Sequence, residues 1–153
     1  MISVVQRVSK AEVRVEGRTI GAIDAGLLVL VAVMRNDART DVEFTADRLL
    51  HLRVFADEQG RMNRSVEDVD GSLLLVSQFT LAGDTRKGRR PSFIKAAPPE
   101  PARELFEALI ERLRAGPVKV EKGIFAAFME VELVNDGPVT LILDSRQNRK
   151  SGR

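Results

Sequence analysis

The stretch LVNDGPVTLILDS, Leu133 to Ser145, sets two apolar runs on either side of a Gly137-Pro138 pair. Apolar runs bounded by turn residues predict two β-strands joined as a hairpin. Asn-Asp-Gly makes such a turn without help. The proline removes a backbone donor where the second strand begins, which strands tolerate at their first residue. The pair is therefore either an ordinary turn or a piece of backbone with a function of its own.

The length and composition predict one globular domain. A chain of 153 residues, 44% hydrophobic and 30% charged, can bury a single core. Apolar stretches stay well short of the roughly 20 residues needed to cross a bilayer. The first residues lack the order of a signal peptide, and the absence of cysteine excludes disulfides, so we expect a cytoplasmic protein. His51 alone cannot build a histidine-based zinc site, and its place near a predicted helix end favours a surface residue over a catalytic base.

Apolar alternation predicts strands over most of the chain. Residues 2–15 alternate and are followed by a turn at Gly17-Arg18 and a second strand, while residues 27–33 and 72–82 read as strands buried on both faces. TDVEFTADRLLHL predicts a helix that begins with a capping box of Thr40 and Glu43.

A second helix is predicted for PEPARELFEALIERLRAG, whose apolar positions form one stripe closed by Gly116-Pro117. Because strands outnumber helices, the expected fold is a single mixed α and β domain: curved, partly closed β-sheets with two main helices packed on them.

Polar residues interrupt the apolar run SLLLVSQFTLA. If the strand alternation holds, Ser77 and Phe79 face one way while Gln78 and Thr80 face the other. Buried hydroxyls and amides need partners, so these residues either make cross-strand hydrogen bonds or line a cleft beside the loop that follows.

Two basic clusters stand out on a chain whose net charge is only +2. The loop DTRKGRRPSF contains Arg86, Lys87, Arg89 and Arg90, and residues 146–153 contain four more cations and no acid. Such clusters favour contact with phosphates. For residues 146–153 a disordered, solubilising tail is the favoured interpretation.

A conventional nucleophile is hard to assemble from this sequence. A serine or threonine needs an adjacent base, the sole histidine lies in another predicted element, and the chain has no Gly-x-Ser-x-Gly elbow. If an ester is hydrolysed, backbone amides would stabilise the oxyanion, with water or a substrate hydroxyl as the attacking group.

Several motifs together resemble one enzyme family. SQFTL (Ser77 to Leu81), DTRKGRRPSF (Asp84 to Phe93), AAPPE (Ala96 to Glu100) and NDGPVT (Asn135 to Thr140) look like D-aminoacyl-tRNA deacylase of the bacterial and eukaryotic type. The order and spacing of these motifs extend the resemblance over Met1 to Ser145.

The resemblance implies a homodimer, with active sites at the subunit interface, that removes D-amino acids esterified to tRNA without metal or other cofactor. The catalytic motif would be Ser77, Gln78, Phe79 and Thr80, with the Phe79 N–H serving the oxyanion. Thr80 is the obvious nucleophile candidate. The alternative that we favour is assistance by the 2'-hydroxyl of the terminal adenosine, because no convincing base for Thr80 is present.

For chirality, the resemblance implies a cis Gly137-Pro138 peptide that reaches into the partner subunit's active site. Its carbonyls would accept hydrogen bonds from the substrate ammonium, and its rigid backbone would exclude the side chain of an L-amino acid. Glycine has no side chain to exclude, so glycyl-tRNA is also an expected substrate. Arg7 matches an arginine that packs near this motif, although a surface ion pair on a strand is an equally good interpretation.

The remaining implied roles concern RNA. Lys87, Arg89 and Arg90 would face acceptor-stem phosphates, giving salt-sensitive affinity that depends little on sequence. Phe125 and Met129 match a segment that lines the terminal adenosine pocket, or they are core residues. GIFAAFM departs from the family pattern at Ala126 and Phe128, where glycine and a polar residue are expected.

Two other functional classes remain open from the sequence. A noncatalytic protein that binds tRNA acceptor ends would keep the basic loop, and SQFTL would then be only a strand. A structural dimer would use the Gly-Pro tip only to fix its interface.

Overall fold

One long strand organises the sheet. The computed structural model describes residues 1–150, the last three by their backbone alone. In chain order the elements are β1 (Ile2–Val15), β2 (Arg18–Ile23), β3 (Gly26–Ala32), α1 (Arg39–His51), β4 (Phe55–Ala56), β5 (Met62–Arg64), β6 (Ser72–Ser77), α2 (Pro99–Arg114), β7 (Lys119–Lys122) and β8 (Glu130–Asp144), with 3₁₀ turns at Phe79–Ala82 and Ser145–Lys150.

Strand β1 is long enough to serve two neighbours on one side. Its first half pairs with β3, from Ile2↔Ala32 to Val8↔Gly26, and its last residues pair with β2, from Ala11↔Ile23 to Val15↔Arg18. The other side pairs with β8 along almost its whole length. The sheet order is β2-β1-β3-β6-β7, with β3, β6 and β7 parallel to one another.

The sheet curves until its two ends approach each other. A Cβ added to Gly21 of β2 would lie 3.0 Å from the Lys122 carbonyl oxygen of β7. Inside this nearly closed curve lies a small core of side chains from one face of the strands: Val8, Ala11, Val13, Ile23, Leu28, Leu74 and Val76. The predicted mixed fold with curved, partly closed sheets and two packed helices is confirmed.

The larger core lies between the opposite sheet face and both helices. Alternate strand residues such as Leu27, Val29, Leu73 and Leu75 meet one face of each helix. The α2 stripe is buried at Ala102, Phe106, Leu109, Ile110 and Leu113, as its periodicity predicts, with Leu105 packed against it. No helix in the described part of the chain is long and apolar enough to span a membrane.

The predicted capping box of α1 was wrong by two residues. The helix begins at Arg39, and the Asp41 carboxylate, not Glu43, accepts the Ala38 N–H at 2.8 Å. Asp41 is buried and also accepts a hydrogen bond from the Ser145 hydroxyl at 2.7 Å, so a tertiary contact fixes the start of the helix. His51 is the last residue of α1 and is exposed on the surface.

The predicted hairpin around Gly137-Pro138 was also wrong. Both apolar runs belong to the single 15-residue strand β8, and both pair with β1. Val8 faces Asn135 and Gln6 faces Thr140, so four residues of β8 stand opposite Arg7 alone. The pair therefore lies in an outward bulge of a continuous strand. The alternation of apolar residues is the same for two strands that pair with each other and for two halves of one strand that both pair with a third segment.

Candidate functional site

A groove of about 650 Å³ opens where β6 ends. Its floor consists of strand residues such as Val31 and Val76, and its walls come from three segments that carry aromatic side chains. These segments are Ser77–Phe79, residues 93–99, and residues 125–129 at the entry to β8. The groove lies at the carboxyl end of parallel strands, where ligand sites commonly form in such sheets.

The SQFT segment does not continue the strand. Strand β6 ends at Ser77, the Gln78 N–H still bonds to the Val31 carbonyl at 2.7 Å, and Phe79–Ala82 turns into a 3₁₀ helix. The predicted alternation of Gln78 and Thr80 therefore fails, because it assumed a strand through Ala82. The Gln78 amide donates directly to the Thr80 hydroxyl. Ser77, Gln78 and Phe79 line the groove, and Thr80 is held beside them through this hydrogen bond.

Phe79 presents its ring to solvent at the groove edge. It is 59% exposed and makes an edge-on contact with Phe93, the ring centroids lying 5.1 Å apart. As the first residue of the 3₁₀ helix, Phe79 has an N–H that the turn itself does not use. A backbone donor at a groove edge is the type of group that stabilises a developing oxyanion.

The loop before β8 supplies the opposite wall. The Ala127 N–H bonds to the Ile124 carbonyl at 3.2 Å, closing a turn whose third residue, Ala126, has a φ of 64°. Phe125 packs on Phe106 of the core and carries the Arg103 guanidinium over its ring at 4.7 Å. Phe125 and Met129 thus line the groove and also pack against the cores, while an adenosine pocket at these residues stays a prediction.

The Gly137-Pro138 peptide bond is cis. Gly137 has a φ of 145°, and a Cβ there would lie 2.8 Å from the Val139 side chain, so the bulge needs glycine. Asn135 spans the bulge: its amide oxygen accepts the Val139 N–H at 2.8 Å, and its amide nitrogen donates to the Val139 carbonyl and the Thr140 hydroxyl.

Arg7 fixes the same bulge from the facing strand. Its guanidinium donates to the Asp136 carbonyl at 2.8 Å and to the Val54 carbonyl at 2.6 Å, while its side chain is 15% exposed. The Asp136 carboxylate is farther away, at 3.7 Å. Arg7 therefore joins the Gly-Pro segment, through the Asp136 carbonyl, to the Val54 carbonyl after α1, and the surface ion pair is the weaker of its interactions.

The basic loop is closed by backbone and by one acid. Asp84 and Ser92 exchange two backbone hydrogen bonds of 2.8 and 2.9 Å. The Asp84 carboxylate binds the Arg86 guanidinium, with Lys95 at 3.5 Å, and these contacts hold the pKa of Asp84 well below its usual range. Lys87, Arg89 and Arg90 are exposed and form no ion pair within the described residues, so their charges face solvent.

The first residues of the predicted tail follow directly on β8. Residues 145–150 form a 3₁₀ turn, and Arg146 binds the Asp144 carboxylate at 2.7 and 2.8 Å. The disordered tail over residues 146–153 stays a prediction. Ser151 to Arg153 lie outside the described residues.

The structure gathers some of the predicted site residues and separates others. Ser77, Gln78, Phe79, Phe125 and Met129 border one groove. Arg7 and the Gly137-Pro138 bulge are joined to each other but do not line that groove.

Sequence reasoning missed some residues of the groove wall. Arg35 gave no signal in the sequence. Phe93 lay within a quoted motif, and Phe128 was noted only as a departure from the family pattern.

Comparison with known proteins gives a consistent result. The family model described as D-Tyr-tRNA(Tyr) deacylase matches residues 4–144. The D-aminoacyl-tRNA deacylase of Desulfitobacterium hafniense (strain DSM 10664 / DCB-2) is 56% identical over 97% of this chain and 99% of that protein. The D-aminoacyl-tRNA deacylase of Thermosipho africanus (strain TCF52B) is 52% identical over 96% of this chain and 99% of its own.

A solved structure shares the architecture. The protein described as c-Myc DNA unwinding element binding protein superimposes with a TM-score of 0.89 at 41% identity, covering 94% of this chain and 98% of the other. The fold is thus a single mixed α and β domain with a curved sheet, and the curated relatives place the chain among tRNA deacylases. The chain belongs to the D-Tyr-tRNA(Tyr) deacylase family, and the resemblance seen in the sequence motifs is confirmed.

Proposed function

We propose that the protein hydrolyses the ester of D-aminoacyl-tRNA, releasing the D-amino acid and free tRNA. The observation that carries this proposal is the groove that the SQF residues share with Phe125 and Met129. It combines backbone donors at a turn with apolar and aromatic walls wide enough for a nucleoside. Family membership supplies the reaction class.

In the proposed reaction, water adds to the ester carbonyl carbon while the Phe79 N–H stabilises the oxyanion. The bond between that carbon and the ribose oxygen then breaks, and the ribose oxygen takes a proton. The 2'-hydroxyl of the terminal adenosine orients the water. Thr80 is a weak nucleophile candidate because the described partner of its hydroxyl is the Gln78 amide, which is not a base.

Chirality would be selected by a second copy of the chain. Residues 136–138 are exposed and lie outside the protomer's own groove wall, so in a homodimer they can reach the partner's groove. There Gly137 and Pro138 would bind the substrate ammonium through backbone carbonyls and exclude an L side chain. Glycyl-tRNA would pass the same filter.

The RNA body would bind through the solvent-facing charges of Lys87, Arg89 and Arg90. Such contacts to phosphates give affinity without base specificity and weaken as salt rises. The expected place of action is the cytoplasm, where charged tRNA is used.

The decisive assay compares matched D- and L-tyrosyl-tRNA and follows release of the amino acid. We expect rapid release from the D-ester and background release from the L-ester. Background release from both would overturn the enzymatic proposal and favour a noncatalytic acceptor-binding protein.

A second comparison separates the two candidate attack routes. Replacing the terminal 2'-hydroxyl by hydrogen should abolish turnover, whereas Thr80→Ala should retain most of it. The reverse ranking would restore Thr80 as the nucleophile.

A further inference from the structure

Phe128 is the most exposed large hydrophobic side chain of the described residues, at 90% exposure. Leaving a phenylalanine in water forgoes about 1.5–3 kcal/mol of burial. The side chain nevertheless borders the groove together with Phe79 and Phe93, which are 59% and 36% exposed. An open aromatic face is thus available at the rim of a site that already has aromatic walls.

The neighbouring residues of the loop are engaged elsewhere. Phe125 contacts Phe106 and Arg103, and Met129 packs against the small core inside the curved sheet. The turn at Ile124–Ala127 comes directly before Phe128, and β8 begins at Glu130. No ring contact or cation–π contact engages Phe128 within the described residues, so both faces of its ring are open.

Charge at the same rim indicates what kind of molecule would cover the ring. Phe93 follows the basic loop with its solvent-facing Lys87, Arg89 and Arg90, and Arg35 lines the groove itself. Single-stranded nucleic acid is bound by this combination of a cationic border and aromatic rings on which bases stack.

We propose that Phe128 stacks on the base next to the terminal adenosine of the bound RNA. This inference rests on the proposed function, which places the terminal adenosine between Phe125, Met129 and the SQF residues. The chain of a CCA end must then leave the groove over its rim. The penultimate cytidine is the first base beyond the groove, and stacking on its face tolerates any base.

A fluorescent base tests the contact directly. The probe is an RNA minihelix that ends in CCA, carries no amino acid and has 2-aminopurine in place of the penultimate cytidine. Binding is measured as quenching of the 2-aminopurine fluorescence. We expect strong quenching with the wild-type protein, loss of it with Phe128→Ala, and recovery with Phe128→Tyr. The Kd should rise about tenfold in Phe128→Ala, within the range of alanine substitutions at stacking aromatics.

The control variant is Met62→Ala, which removes another exposed apolar side chain, 58% exposed on β5. It should change neither quenching nor Kd. In deacylation assays Phe128→Ala should raise KM and leave kcat unchanged, since stacking at the rim does not touch the ester.

Three outcomes distinguish the possibilities. Equal quenching by wild type and Phe128→Ala, with D-ester hydrolysis intact, would overturn this inference alone. Absence of D-ester hydrolysis by the wild type would overturn the proposed function, while position-specific quenching would still report the stacking. If Phe128→Ala instead lowers the sedimentation coefficient of the free protein, the ring is covered by a second copy of the chain and the inference is wrong.

Discussion

Two irregular segments near β8 are held in different ways. The bulge Asn135–Thr140 is fixed by side chains on both sides: Asn135 spans it, and Arg7 donates to the Asp136 carbonyl from the facing strand. The loop Gly123–Met129 is fixed by two backbone hydrogen bonds, from Gly123 to the Leu75 carbonyl and from Ala127 to the Ile124 carbonyl, and by the packing of Phe125. The first is a braced piece of backbone, and the second is a turn that displays rings.

The difference matches what each segment must do in the proposed function. A filter that acts by exclusion works only if its backbone cannot yield, because a shift of a few tenths of an ångström would admit the wrong side chain. A stacking surface tolerates such shifts, since dispersion and ring contacts vary gradually with position. Hydrogen bonds should therefore dominate the energetics of the bulge, and backbone conformation those of the loop.

Breaking the brace at Arg7 should have the largest effect. Arg7→Ala leaves two carbonyls without their charged donor, and hydrogen bonds to charged groups contribute about 1.5–3 kcal/mol each. We expect a loss of about 3 kcal/mol in the free energy of unfolding, measured by urea titration. The ratio of D- to L-ester hydrolysis should fall at least about tenfold. This factor corresponds to a loss of about 1.4 kcal/mol in the difference between the activation free energies of the two esters.

Arg14→Ala is the matched control on the same strand. Arg14 binds the carboxylates of Glu12 and Glu132 at the surface rather than backbone carbonyls. Exposed ion pairs contribute about 0–1 kcal/mol, so the variant should stay close to wild type in stability and in chirality ratio. Equal losses of stability and of chirality ratio in Arg7→Ala and Arg14→Ala would contradict the claim that bonds to backbone carbonyls, rather than surface charge, hold the bulge.

Substitutions of Asn135 separate the contributions of individual hydrogen bonds within the bulge. Asn135→Ala removes both the acceptor for the Val139 N–H and the donors to the Val139 carbonyl and Thr140 hydroxyl, and we expect a cost of about 1–2 kcal/mol. Asn135→Asp keeps the acceptor and loses the donors. A smaller loss for the aspartate variant in urea unfolding would assign most of the bracing to the Val139 N–H; identical losses would assign it to the amide donors.

The sequence was informative about elements and uninformative about how β8 is paired. Both helices and the buried strands follow from local periodicity, and the first turn follows from Gly17. The partner of each half of β8 is β1, more than 110 residues away in sequence, and alternation carries no record of a distant partner. A bulge within one strand and the tip of a hairpin consequently have the same sequence pattern.

The site was predictable only where the family resemblance reached it. SQFTL and Phe125 were named from motifs, and the structure brings them to one groove, but their strand-like alternation failed because a 3₁₀ turn begins at Phe79. Arg35 joins the groove through a contact with the Ile94 carbonyl, a tertiary arrangement without a local sequence pattern. Asp41 and Ser145 are a similar case at the start of α1.

In the loop Gly123–Met129, a substitution is expected to raise the free energy of unfolding rather than lower it. Ala126 has positive φ, where a Cβ costs about 1–2 kcal/mol, while glycine adds roughly 0.5–1 kcal/mol of chain entropy to the unfolded state. Ala126→Gly should therefore raise the free energy of unfolding by about 0.5 kcal/mol. Ala127→Gly, next in the chain and without positive φ, should lower it by a similar amount. Parallel urea titrations check both, and a loss in each variant would contradict the conformational argument.

Acid should loosen the basic loop before it affects the bulge, and this is the smallest expected effect. The bond from Arg86 lowers the pKa of Asp84, so this carboxylate stabilises the folded loop above the ordinary aspartate range, and the contribution is lost as pH falls through the lowered folded value. The Val139 N–H of the bulge instead donates to the amide oxygen of Asn135, a neutral group that is not a carboxylate. The amide hydrogen-exchange protection factor of Arg86, whose N–H donates to Asp84, should thus fall below about pH 4 relative to that of Val139.

In Asp84→Asn the ratio of the two protection factors should not depend on pH over this range. A ratio that still varies with pH in the variant would mean that another carboxylate closes the loop, and a constant ratio in the wild type would mean that the Asp84–Arg86 contact contributes nothing to it.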